Sequence, residues 1–305
     1  MLPPAAANNG PETALLNAEA AEEMQQMLET LRPEYRAAII LKYWHDMSYQ
    51  EIAQTLNTTV NAVKSRLFRA RQTLARTLRH IGRTNDAAAE YEDVLRYSPD
   101  LPNALSNLGM IYAMQGRYLD AVPMFKRLVQ LHKDEIAALN LANCYVAMGR
   151  YDEAIETYKI SLEIAPDQPF TAHALAEAYV QAEDTEAARQ WYEKAVEAYD
   201  ASLAAGASRA QHLGWRAGCL AMLGRYEEAE ADVNELLEIA PDRSSPLFNA
   251  AQVYALAGDR EQAFDYLQRA VEAGYARQQV ESDLAFKAFR EDPEFRALIE
   301  APVVP

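Results

Sequence analysis

Cysteine is almost absent: Cys144 and Cys219 are the only two in 305 residues. They lie too far apart for a disulfide framework or for paired zinc-ligand spacing. Glycine is scarce at 11 residues, and no phosphate loop, dinucleotide fingerprint or nucleophile elbow occurs. The histidines, His45, His80, His132, His173 and His212, are scattered without metal spacing. Carboxylate pairs abound, but at helical spacing they read as a solvated surface. The chain is therefore expected to be no enzyme and to need no cofactor or metal. No apolar run approaches the roughly 18 residues of a membrane span, and the N-terminus lacks the charged-then-apolar pattern of a signal peptide. A cytoplasmic protein with no membrane partner is the expectation.

What is present favours helices. Hydrophobic residues make up 50% of the chain, with Ala, Leu and Glu prominent, which suits an all-α fold. The net charge of −16 would argue against nucleic acid, but the charge is segregated. Residues 31–83 hold ten Lys or Arg against three Asp or Glu, whereas residues 84–305 hold 19 bases against 37 acids. A basic island followed by an acidic body suggests a nucleic-acid-binding head on a solvated helical remainder.

Residues 1–14 carry Pro, Ala, Asn and Gly without periodicity and read as a flexible leader. Residues 15–30 read as a helix with Leu16, Ala20, Met24 and Met27 on one face. Pro33 opens the next helix, where its missing N–H is harmless, and Ala37, Ile40, Leu41 and Trp44 form its apolar stripe. Ser48-Tyr49-Gln50-Glu51 is a capping box. The helix it starts turns Ile52, Ala53 and Leu56 inward. Asn57 suits a left-handed turn, and Thr59 can cap the following helix.

On that following helix Val63, Leu67, Ala70 and Leu74 share one face. The opposite face carries Asn61, Ser65, Phe68, Arg69 and Gln72, with Lys64, Arg66 and Arg71 on the flanks. A helix with one packed face and one basic, hydrogen-bonding face fits a DNA major groove. Arg suits a guanine edge, Asn and Gln suit adenine, Phe suits a thymine methyl, and flanking Lys or Arg hold phosphates. An ordinary basic surface helix fits this composition equally well.

The run from Leu31-Arg32-Pro33 and Tyr35-Arg36, through Ser48-Tyr49-x-Glu51-Ile52-Ala53-x-x-Leu56, to Val63-Lys64-Ser65-Arg66-Leu67-x-Arg69-Ala70-Arg71 resembles a known family. It is similar to region 4 of bacterial sigma factors of the extracytoplasmic-function group. The resemblance implies a helix-turn-helix that reads the −35 element of double-stranded promoter DNA. It implies Lys64, Ser65, Phe68 and Arg69 as base readers, and Arg66 and Arg71 as phosphate or flanking contacts. It also implies RNA polymerase core as a partner, held through its β flap. Where family members usually have Gly-Ile-Pro-Val-Gly-Thr, this chain has Asn57-Thr58-Thr59-Val60-Asn61-Ala62, a change that can shift promoter preference. Region 2, which binds and melts the −10 element, has no counterpart here. The chain reads either as a piece of a longer sigma factor or as a region-4-only regulator.

Beyond residue 100 the sequence repeats at about 34 residues, the tetratricopeptide period. Asn107-Leu108-Gly109-x-x-Tyr112-x-x-x-Gly116-x-Tyr118-x-x-Ala121 returns as Asn140-Leu141-Ala142-x-x-Tyr145-x-x-x-Gly149-x-Tyr151-x-x-Ala154 and in later copies, with starts near 102, 135, 169, 210 and 244. The 169 to 210 interval is long, and its excess falls at residues 203–209. Both cysteines occupy the tenth position of their repeats, where a small buried residue belongs. Carried backwards, the register starts at residue 68 and puts Leu74, Ala75 and Leu78 on a first helix. Gly82 then falls at the turn, and Ala87, Tyr91 and Pro99 on a second helix. The basic helix would thus continue into an incomplete first repeat with no linker. Resemblance to this family implies a groove that binds a protein or peptide. Met110, Asn140, Asn143, Val146 and Gln181 could face it, although ordinary surface or packing roles fit them as well.

The expected division is a leader over 1–14, a region-4-like helix-turn-helix over 15–80, a repeat array over 68–275 and a C-terminal cap and tail over 276–305. The expected function is a sigma-like, DNA-binding regulator of transcription initiation with repeats for protein–protein interaction. The alternative is a repeat scaffold whose helix-turn-helix is a vestigial or protein-binding cap. The basic face with Lys64, Ser65, Arg69 and Arg71 favours the first.

Overall fold

A computed structural model describes residues 25–80 and 82–300. The leader and residues 15–24 of the expected first helix, with Leu16, Ala20 and Met24, lie outside the described residues. Among the described residues every element is a helix, and they divide into two compact units between Met148 and Gly149.

In the first unit the described part of α1 (residues 25–29) brings Met27 into the core, and Leu31 follows it there. Helix α2 (Pro33–Tyr43) has Pro33 in its first turn and buries Ala38 and Ile39. The expected stripe was drawn one residue off. Ala37, Ile40 and Leu41 are only half-buried, and Trp44, the C-cap, is 44% exposed. Residues 37–41 are apolar all the way round, so periodicity alone does not select a face. Packing against α4 does, and it chooses the side of Ala38 and Ile39.

Helix α3 (Tyr49–Thr55) starts at the capping box. Ser48 Oγ accepts from the Glu51 amide at 3.3 Å, and Glu51 accepts from the Ser48 amide at 2.7 Å. Ile52 and Ala53 are buried, while Leu56 ends the helix as a half-buried C-cap. The chain reverses at Asn57, whose φ of +44° is left-handed, a conformation Asn tolerates better than most residues. Thr59 Oγ1 then accepts from the Ala62 amide at 3.1 Å and caps α4 (Val60–His80). Val63, Leu67, Ala70 and Leu74 are buried, followed by Ala75 and Leu78. One continuous apolar stripe thus serves first the helix-turn-helix and then the hairpin with α5 (Thr84–Tyr97). The hairpin turns at Gly82, whose φ of +79° glycine adopts without penalty. Ala87, Tyr91 and Val94 close the interface. Pro99, expected on the second helix, falls just beyond its C-cap Ser98, because proline cannot extend a helix.

The pairing continues in α6 (Pro102–Met114), α7 (Tyr118–His132) and α8 (Glu135–Ala147). At Gly109 the α6 backbone lies so close to α7 that a Cβ would stand 2.9 Å from the Phe125 ring.

The second unit contains α9 (Tyr151–Ile164), α10 (Pro169–Gln181), α11 (Thr185–Ala204), α12 (Arg209–Met222), α13 (Tyr226–Ile239), α14 (Ser244–Ala257) and α15 (Arg260–Glu272). The extra length before residue 210 is largely helix: α11 has 20 residues where α9 and α13 have 14. Pro166 and Pro241 each stand just past a helix end. A C-terminal segment of α16 (Arg277–Ser282), a 3-10 turn (Leu284–Phe289) and α17 (Pro293–Glu300) packs Phe286 and Phe295, both fully buried, against Phe248 and Phe264. Cys144 and Cys219 are buried. Burial pushes the Cys144 thiol up to about 11 and that of Cys219 well above its ordinary value. Neither is a ready nucleophile. No helix among the described residues is long and apolar enough to cross a membrane.

Candidate nucleic-acid interface

The apolar stripe of α4 fixes which of its side chains look outward. Asn61, Lys64, Ser65 and Arg69 are exposed, and Arg66, Phe68 and Gln72 are half-buried. Among the described residues no carboxylate forms an ion pair with Lys64, Arg66 or Arg69. Lys64 Nζ lies 6.0 Å from the Tyr49 ring centroid, and Arg69 Nη1 donates to Tyr35 Oη at 3.3 Å. Phe68 borders a hollow of about 300 Å³ that it shares with Lys64, Ser65, Arg71, Tyr49 and Tyr97. The arginines of the repeats contrast with this. Arg117 is paired with Asp120, Arg127 with Asp100, Arg209 with Glu235 and Arg225 with Glu228.

Arg71 does not belong to the exposed face. Its side chain is 11% exposed and stands 3.6 Å from Asp93 on α5. Its guanidinium donates to Tyr43 Oη and lies over the Tyr43 and Tyr97 rings, at 5.5 and 5.6 Å from their centroids. The guanidinium thus joins α2, α4 and α5 at the edge of the hollow that Lys64, Ser65 and Phe68 also line. A helical wheel gives its angle correctly, but not that α5 returns along that flank.

Sequence reasoning also missed Tyr49, Asp93 and Tyr97. Tyr49 Oη and Tyr97 Oη lie 3.5 Å apart, joining the start of α3 to the end of α5. That contact, with burial and the nearby Asp93, pushes the Tyr49 hydroxyl up to about 12, so it stays protonated. The Asp93 and Tyr97 pair at i, i+4 was a weak signal, legible only once the α4–α5 hairpin is drawn.

The helix-turn-helix geometry agrees with the family models. Residues 21–74 match the model described as sigma-70, region 4, and residues 73–136, 134–201 and 208–274 match tetratricopeptide repeat models. The chain is a sigma-70 region 4 domain fused to tetratricopeptide repeats. Over 71 residues it is 38% identical to the ECF RNA polymerase sigma factor SigW of Bacillus subtilis, covering 23% of this chain and 38% of that protein. Over 68 residues it is 34% identical to the RNA polymerase sigma-H factor of Pseudomonas aeruginosa, covering 22% of this chain and 35% of that one. The region-4 fusion thus spans little more than a third of the length of these relatives. Among solved structures, the APC/C hetero-tetramer Cut9–Hcn1 shares the fold with a TM-score of 0.53 at 13% identity, over 76% of this chain and 42% of that one.

The expected groove residues of the repeats fall in both units. Met110 is exposed on α6, and Asn140, Asn143 and Val146 follow one another along α8, the first and last half-buried. Gln181 is exposed at the end of α10, in the second unit. None of the five lines the cavity of about 220 Å³ in that unit, which His173, Glu177, Trp215 and Asp283 help to form.

Proposed function

We propose that this chain is a sigma-like regulator of transcription initiation. Helix α4 enters the major groove of −35-type promoter DNA, with Lys64, Ser65, Phe68 and Arg69 on base edges and Asn61, Arg66 and Gln72 at the margins. The helices around α4 meet RNA polymerase core through its β flap, and the repeats receive a protein partner. One observation carries this reading: among the described residues, Lys64, Arg66 and Arg69 on α4 have no acid partner, while many of the repeat arginines do. In an acidic chain, unpaired bases on one exposed face are available for phosphates. The likeness of residues 21–74 to region 4 supports the same assignment.

The scaffold reading draws on the direct continuation of α4 into the hairpin with α5, which makes α4 a structural part of the array. It leaves the unpaired basic face unexplained. Co-purification with core polymerase, followed by footprinting on promoter DNA, tests the two. Retention of polymerase and protection near −35 support the regulator; loss of both polymerase and duplex at low salt supports the scaffold.

A further inference from the structure

In the second unit, the cavity of about 220 Å³ lies among α10, α12, α14 and the C-terminal segment. Its walls are aromatic. Phe170 and Trp215 approach with ring centroids 5.0 Å apart, and Phe248 stacks on Tyr275 at 3.9 Å. Its lining on α12 includes two glycines. A Cβ at Gly214 would collide with Asn249, whereas one at Gly218 would meet nothing within 4 Å.

The charge of the cavity has one sign. Glu177 and Asp283 line it, together with His173, and no lysine or arginine does. His173 Nε2 is 3.6 Å from Glu177, and its buried Nδ1 has no partner. Asp283 accepts from Gln252 Nε2 at 2.8 Å and from the Ala285 amide at 2.9 Å. Both donors are neutral, and Arg290, which does not line the cavity, only partly offsets the charge on Asp283. Burial pushes its carboxyl up to about 6, with Glu177 adding to the rise. Asp283 is therefore ionised at neutral pH in surroundings that disfavour the charge.

A cation placed between the largely buried carboxylate of Asp283 and the more exposed one of Glu177 is attracted by both, and it offsets the desolvation of Asp283. Aromatic faces strengthen such a site, because their π clouds attract cations. The volume is below the roughly 300 Å³ at which drug-sized pockets begin, so it suits one long side chain better than a whole organic ligand. We propose that this cavity receives an arginine or lysine side chain of a partner polypeptide. Its charged head sits by Glu177 and Asp283, and its stem lies against Trp215 and Phe248. The inference gives chemical content to the partner-receiving role of the repeats, on which it rests, and is independent of DNA reading by α4.

The test titrates the full chain with capped Gly-Gly-X-Gly-Gly peptides, X being arginine, lysine, citrulline or norleucine. Tryptophan fluorescence, to which Trp215 contributes, and calorimetry report binding. The arginine or lysine peptide should bind saturably, and the neutral ones more weakly by about tenfold or more. Glu177→Gln and Asp283→Asn should each weaken the cationic peptides by a similar factor. Gly218→Leu, which projects into open space and replaces a poor helix former with a good one, should abolish binding while leaving helical circular dichroism intact. Equal binding of charged and neutral peptides, no binding at millimolar concentration, or binding indifferent to Gly218→Leu would overturn the proposal. Butylguanidinium binding where the peptides do not would also overturn it, assigning the cavity to a free small cation. Duplex binding by the same preparations is read separately, so failure here is distinguishable from failure of the DNA-reading role.

Discussion

Arg71→Ala should damage the fold of the head far more than its grip on phosphate. The guanidinium makes one hydrogen bond to Tyr43, an ion pair with Asp93, and lies over two tyrosine rings. A hydrogen bond involving a charged group contributes about 1.5–3 kcal/mol, and each cation–π contact about 0.5–1 kcal/mol. Two features limit the loss. Asp93 keeps a second partner, Arg96, at 2.8 Å, so no orphaned carboxylate remains. Arg71 Nε is itself buried without a partner, and its removal relieves about 1 kcal/mol of desolvation. A net destabilisation of about 2 kcal/mol is expected. Tyr43→Phe, which removes the hydroxyl alone, should cost about 1 kcal/mol, and the double variant should show coupling of about 1 kcal/mol. Urea unfolding followed by circular dichroism measures all three. The reasoning fails if Arg71→Ala shifts stability by less than about 0.5 kcal/mol and instead lowers affinity for every duplex, with the salt slope smaller in magnitude by about one.

Four other outcomes follow from the same structure. Arg69→Ala should reduce discrimination between a −35 duplex and a random one by about 1–3 kcal/mol; fluorescence anisotropy would show equal loss on both if Arg69 touches only phosphate. Gly109→Ala places a methyl 2.9 Å from Phe125 and should destabilise by about 1–3 kcal/mol in urea, a loss that Phe125→Leu partly relieves if overpacking is the cause. Ser48→Ala removes one half of the capping box and should lower stability by about 1 kcal/mol, with Ser48→Thr retaining most of it. Asp283, held up to about 6 in the fold against an ordinary 3.8, binds its proton more tightly folded than unfolded. Its contribution to stability is therefore most favourable below about 4 and is lost as pH rises to about 6, by up to about 3 kcal/mol. Asp283→Asn should flatten that part of the pH profile, and a profile unchanged by the substitution would refute the assignment.

The parts of the head fixed by local chemistry were legible in the sequence. The capping box at Ser48 and Glu51, the left-handed Asn57 and the Thr59 cap each depend on residues within one turn, and each forms as expected. The stripe of Val63, Leu67, Ala70 and Leu74 was legible because polar residues stand opposite it. On α2 no such contrast exists between residues 37 and 41, and only the position of α4 decides which side is buried. The internal contacts of Arg71 were hidden for a related reason. Its flank is solvent in an isolated helix-turn-helix, but here Asp93 and Tyr97 arrive on the following hairpin. The cavity lay furthest from view, since its lining comes from Phe170, Trp215, Phe248 and Asp283, which are separated by whole helices.

The claim that the outer face of α4 reads DNA sequence is tested most directly by selection from a random duplex pool with the full chain, in parallel with a Lys64→Ala, Ser65→Ala, Arg69→Ala variant. A single motif of −35 type enriched by the native chain and absent with the variant is the predicted result. Enrichment of no motif, or of the same motif by both proteins, would contradict it.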